Sequence, residues 1–206
     1  MTKSKAKILN MVQVAFLAAL IVVLQLVASM TAGILPVNIT LTLLPIVIGG
    51  ILLGPAYGAA LGIIFGVIVL AVCMAGMDVG GAILFNANPF FCSLICLVKG
   101  AAAGFVPAFL FKKTKTFTAQ SDARFFGITV LGAALAPIMN TGLFCLGMVL
   151  LYKDILISWA GGSDIITYML LGLAGINFLI EFLINIILCP LMVRSLRNTK
   201  FFKQNL

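Results

Sequence analysis

The sequence has no histidine, one tryptophan and only five acidic residues among 206, and just 9% of its residues are charged. Without histidine the commonest proton shuttle and metal ligand is missing. No cluster of carboxylates replaces it for metal binding or acid–base work. The chain is therefore not expected to be an enzyme, and neither catalytic nor metal-ligating residues are assigned. Soluble domains usually carry about 25% charged residues, so an ordinary soluble domain is excluded as well. Phosphate-cradling GxxxxGK[ST] is also absent, and no strand pattern precedes a glycine-rich turn. Nothing here hydrolyses a nucleotide.

What is present is apolar, at 63% of the chain, and it comes in long continuous runs. A bilayer crossing needs about 20 such residues. The pattern predicts helices over roughly 9–30, 38–53, 56–76, 90–111, 124–152 and 167–193. The fold class expected is an all-α integral membrane protein, a six-transmembrane-helix bundle forming a single substrate-binding domain over 1–206. Gly54-Pro55 reads as a tight turn between the second and third helices. Residues 76–89, GMDVGGAILFNANP, are too broken for a regular span and read as a surface cap or a re-entrant loop. The first apolar run is about 22 residues with no polar cleavage region after it, so a signal peptide is not expected.

The net charge of +8 is explained by topology rather than by nucleic acid. Lys3, Lys5 and Lys7 precede the first helix, Lys112, Lys113, Lys115 and Arg124 join the fourth to the fifth, and Arg194, Arg197, Lys200 and Lys203 end the chain. With six crossings all of these fall on one side. Lys153 falls on the other, among Asp78, Asp154 and Asp164. The positive-inside rule then places both termini in the cytoplasm. Glycines at spacing four (Gly58, Gly62 and Gly66, then Gly100 and Gly104) predict closely packed helix faces. The five cysteines lie in apolar runs; Cys92 and Cys96 read as small packing residues.

The polar residues inside these runs are the functional candidates, because charge at the bilayer centre costs roughly 2.5–3.5 kcal/mol even on the lowest scales. Lys99 is expected about 12 Å, and Glu181 about 20 Å, from the outer edge of their helices. They could form a structural ion pair, or one of them could meet a ligand: the ammonium a carboxylate or phosphate, the carboxylate a hydroxyl or amide donor. Asn177, Glu181 and Asn185 recur every four residues and should share one helix face. With Asn140 they serve either interhelical bonding or a polar pocket. Asn86 and Asn88, in FNANP, lie near the external mouth as loop or pocket-lining residues. Tyr152 and Trp159 look like interfacial anchors. Ala15, Ala18 and Ala19 form a small-residue patch on the first helix, suited to another helix of the chain or to a second membrane protein.

Several stretches together resemble the substrate-binding S component of energy-coupling factor (ECF) vitamin transporters. They are AFLAAL in the first helix, TLTLLPIVIGGILLGPAYGAALGIIFG at 40–66, LVKGAAAGFVPAFLF at 97–111, APIMNTG at 136–142 and INFLIEFLINIILCPLMV at 176–193. The LPIVIGGILLGPAYGAALG block is the most specific. The resemblance implies a multi-pass protein of the bacterial plasma membrane that binds a small water-soluble vitamin near the external side. The pocket would be formed by the fourth to sixth helices and the loops joining helices 1–2 and 3–4. It implies no cofactor in this chain. ATP would be used by two ATPase subunits held on a transmembrane coupling protein, which contacts Ala15, Ala18 and Ala19. Lys99, Asn140, Glu181 and Asn185 become pocket candidates, with Asn177, Asn86 and Asn88 around them. NTG in the fifth helix and IEFLIN in the sixth look most like pantothenate-type members; riboflavin and folate stay open. A free-standing secondary transporter, with Glu181 as proton site, is the alternative of another class, although no inverted repeat is evident.

Overall fold

The computed structural model describes residues 3–31, 41–114 and 121–197, and all of the regular structure among them is helical. Lys115, Lys200, Lys203, the first residues of the predicted second helix and the link between helices 1 and 2 lie outside the described residues. In chain order the helices are α1 (Lys3–Thr31), α2 (Leu43–Leu53), α3 (Pro55–Met74), α4 (Val79–Ala87), α5 (Pro89–Lys113), α6 (Asp122–Leu151), α7 (Lys153–Ala160), α8 (Ile165–Tyr168) and α9 (Gly175–Arg197). Met169–Ala174 continues α8 as a π-helical turn.

Five of these helices, α1, α3, α5, α6 and α9, are long and apolar enough to cross a membrane. In hydrocarbon a helix satisfies its own backbone groups, which is why apolar runs adopt this form. Their outer faces carry exposed Phe16, Val67, Phe105, Leu146 and Leu183, as a lipid-facing surface requires. The remaining apolar helix, α2, is different. It has 11 residues, about 16 Å at the helical rise, and all but its last residue are buried. It runs through the middle of the bundle and ends at Gly54, whose φ of 112° turns the chain into Pro55 at the first position of α3.

The tightest seam joins α3 to α5. A methyl group built on Gly58 or Gly62 would run into the backbone carbonyl of Gly104 or Gly100, and one on Gly66 into that of Cys96. Hydrogen alone lets the two backbones come this close, so the glycine strip expected from spacing is the contact face itself. The pairing is antiparallel. It brings the C-terminal end of α3 beside the N-terminal end of α5 and sets α4 across that end.

Residues 76–89 hold no membrane-length span: nine of them form the short helix α4, between Asp78 and an Asn88 whose Oδ1 accepts from the Phe91 amide at 3.1 Å. One expectation changes. The predicted sixth helix, 167–193, is interrupted at Gly175, where φ is 49° and ψ is −157°. That conformation is one glycine tolerates and L-residues avoid. The regular part extends instead to Arg197. Before the break, 153–160 and 165–173 meet at 86°.

Buried side chains gather into two clusters. One joins α1, α2, α3, α6 and α9 around Ile21, Leu43, Ile46, Ala133, Cys189 and Val193. The other lies at the α4 end, around Cys73, Leu84, Cys92, Ile95, Met148 and Tyr152. Phe111 against Phe125 (ring centroids 5.4 Å apart, edge to face) locks the start of α6 to the end of α5. Lys112, Lys113 and Arg124 therefore share the end of the bundle opposite α4, Asp78 and Asp154.

Candidate functional site

Lys99 lies on α5 nearly three turns below its N-terminus, half-buried, with its Nζ 5.2 Å from the centroid of the Phe144 ring on α6. That distance places the ammonium within cation–π range. It also lines a cavity of about 210 Å³ at the α4 end of the bundle. Val69 and Cys73 of α3, Gly81 and Leu84 of α4, Cys92, Ile95 and Cys96 of α5, and Phe144 of α6 form its walls, with Asp78, Trp159 and Leu173. Local sequence explains each placement. Pro89 starts α5 and Asn88 caps it, which sets the register of Cys92, Cys96 and Lys99 down one face. Gly161, with φ at 57°, ends α7, and the Trp159 ring of that helix lies 3.7 Å from the position of a Gly80 methyl.

The cavity thus combines one cation, one carboxylate, two aromatic rings and three thiols in an otherwise apolar wall. An anionic group is attracted to Lys99, and a hydroxyl or amide N–H to Asp78. No nucleophile–base pair accompanies them among the described residues.

The other sequence candidates lie elsewhere. Glu181 is buried, at 9% exposure, and Asn185 is fully buried, its Nδ2 donating to the Glu181 carbonyl at 2.8 Å. One turn further on is Cys189, in the cluster shared with α1 and α2. Neither residue lines the Lys99 cavity. Asn177 is on the same helix but exposed, so the four-residue stripe is graded in depth from surface to core. Asn140 is half-buried on α6, with a buried Oδ1 that meets no protein donor. Asn86 is exposed, and Asn88 serves as the cap of α5. On α1, Ala15 and Ala19 face outward while Ala18 turns in against the core, so the small-residue patch is split between two faces.

Sequence reasoning missed Phe144, Asp78 and Trp159 as cavity residues. Tyr152 is no interfacial anchor either: it is 5% exposed, and its hydroxyl lies 2.9 Å from the Leu84 carbonyl and 2.7 Å from that of Asn88. A larger groove of about 550 Å³ runs between α1, α2 and α9, lined by aliphatic side chains with Phe16 and Gln13. It is almost wholly apolar and offers little to orient a polar vitamin.

Five membrane-length helices, three of which wall a mostly apolar cavity carrying one cation and one carboxylate, define a multi-pass membrane protein with room for a small ligand. The family comparison gives the finer class. Residues 9–193 match the ECF transporter, substrate-specific component, family, so the chain belongs to that family. It is a transport-binding subunit and not an enzyme, and its setting is a membrane-embedded complex with a coupling protein and ATPases. Comparisons with curated proteins and with solved structures return no match.

Proposed function

We propose that the chain captures a small carboxylate vitamin, pantothenate in the first instance, in the Lys99 cavity at the external face of a bacterial plasma membrane. The observation that carries this is Lys99 itself, an ammonium held over Phe144 in the wall of a cavity within the bundle. A carboxylate completes it with a charge-assisted hydrogen bond. Size supports the choice. Pockets for drug-sized ligands span about 300–1,000 Å³, and about 210 Å³ suits a short flexible acid better than a flavin or a folate. Asp78 meets the hydroxyl and amide donors that such an acid carries.

With α2 as the sixth crossing, both chain ends share the side of Lys112, Lys113 and Arg124, which is the cytoplasmic side by charge. Side-specific labelling tests this: reagents should reach position 113 and position 154 from opposite faces, and access from the same face would overturn it. The exposed Ala15 and Ala19 then present close-approach positions to the coupling protein.

Calorimetry on the purified chain in nanodiscs tests the ligand. Pantothenate should bind, and Lys99→Met should weaken it about 10- to 150-fold, the equivalent of the roughly 1.5–3 kcal/mol of a charged hydrogen bond. Binding of riboflavin or folate in place of pantothenate would refute the substrate. Unchanged affinity in Lys99→Met would refute the site.

A further inference from the structure

Cys73, Cys92 and Cys96 are separate in sequence and come together in space. Their three Sγ atoms all lie within 4.8 Å of one another. Cys92 and Cys96 stand one turn apart on α5, and Cys73 reaches them from the facing end of α3. All three are buried, at 3%, 3% and 5% exposure, and all are free thiols. Asp78 is adjacent: a methyl group on Gly81 would touch both Cys73 Sγ and Asp78 Oδ2.

Buried cysteine alone commonly acts as a small hydrophobe. Three thiols converging on one point, beside a carboxylate and on the wall of a cavity, is a different arrangement. We propose that these four residues form a binding site for a thiophilic d¹⁰ cation of the Zn²⁺ type, with three sulfurs and the Asp78 carboxylate as ligands. Tetrahedral Zn–S bonds of about 2.3 Å put sulfurs roughly 3.8 Å apart. The sulfurs are thus within about 1 Å of that spacing, a distance that small χ1 rotations cover. Binding releases the three thiol protons to solvent. The resulting centre would carry negative charge, and Lys99 on the same wall balances part of it. Asp78 is exposed and gives the ion a route inward. This site shares Asp78, Lys99 and one cavity wall with the vitamin reading, but the test below uses no vitamin, so the two fail separately.

The probe is Cd²⁺ alone, added to the full-length reduced protein in detergent and followed by the ultraviolet thiolate-to-metal charge-transfer band. One equivalent should bind with the intensity of a three-thiolate centre. Cys145→Ser/Cys189→Ser should retain the band. Each of Cys73→Ser, Cys92→Ser and Cys96→Ser should weaken binding by about a hundredfold or more, since even an outer-shell partner is worth about 10- to 100-fold. Absence of a stoichiometric band in the wild-type protein overturns the proposal whether or not the serine variants fold. So does a band that survives Cys73→Ser/Cys92→Ser/Cys96→Ser. Asp78→Asn, at an exposed position, should keep the band and lose roughly tenfold in affinity; unchanged affinity removes the carboxylate from the site.

Discussion

The Tyr152 hydroxyl lies 2.7 Å from the carbonyl oxygen of Asn88, a residue 64 positions earlier in the chain. It is also 2.9 Å from the Leu84 carbonyl. One phenol just past the end of α6 thereby ties the C-terminal end of α4 to its junction with α5, adding a donor to carbonyls that already accept backbone amides, Leu84 from Asn88 and Asn88 from Cys92. The α4 cap over the cavity is held by this contact. Tyr152→Phe keeps the ring and its edge contact with Phe91 but strips the donor. It should cost about 0.5–1.5 kcal/mol of stability, the range for a typical intramolecular hydrogen bond, since both carbonyls keep their backbone amide donors. Thermal melts in detergent measure this, and a melting point equal to wild type would show that the strap is dispensable.

The α3–α5 seam makes a contrast between glycines. Gly62→Ala and Gly100→Ala each push a methyl group into the opposite backbone and should destabilise by about 1–3 kcal/mol or more. Gly127 and Gly142, both in α6, have nothing within 4 Å of an added methyl group. Alanine at those positions should be neutral or stabilising by up to about 1 kcal/mol. Equal effects in both sets would remove the seam as the organising contact.

Asn185 separates structural polarity from ligand contact. Its Oδ1 is buried without a donor, and its Nδ2 bonds a backbone carbonyl of its own helix. Asn185→Leu removes an unsatisfied polar atom from an apolar cluster, which is close to neutral for stability. Vitamin affinity should stay within about twofold of wild type, because the residue lies off the Lys99 cavity. A large loss of affinity with an intact fold would move the binding site toward α9.

The outward alanines of α1 test coupling rather than binding. Ala19→Trp adds bulk to an exposed position, whereas Ala18 packs against the core. Ala19→Trp should leave vitamin binding by the isolated chain unchanged and abolish co-purification with the coupling protein, since small residues set close helix approach. Normal assembly of that variant would place the docking surface elsewhere.

The fold was legible in the sequence where hydrocarbon dictates it. Long, nearly charge-free runs gave α1, α3, α5, α6 and the body of α9, and glycine spacing gave the α3–α5 face. The break at Gly175 was not legible, because MLLGLAGI at 169–176 reads as one uninterrupted apolar run; only the backbone angles reveal the turn. Lys99 stood out because a lone charge in an apolar helix needs a reason. Its neighbours did not. Phe144, Trp159 and Asp78 come from three separate elements, and the α4 and α7 caps that carry two of them have no periodic signature strong enough to orient them. The thiols were read singly, as packing residues, because sequence spacing joins Cys92 to Cys96 but says nothing of Cys73.

The two buried clusters lie toward opposite ends of the glycine seam and meet at Val69, which packs against both, so only lesions away from that residue are separate. Sites well apart with no shared partners contribute independently. A lesion beneath α4 and another beside α1 should therefore act as multiplying factors, with the double variant's deficit in uptake equal to the product of the two single deficits. Such a chain can change its cargo at one pole while the other pole goes on fitting an unaltered motor.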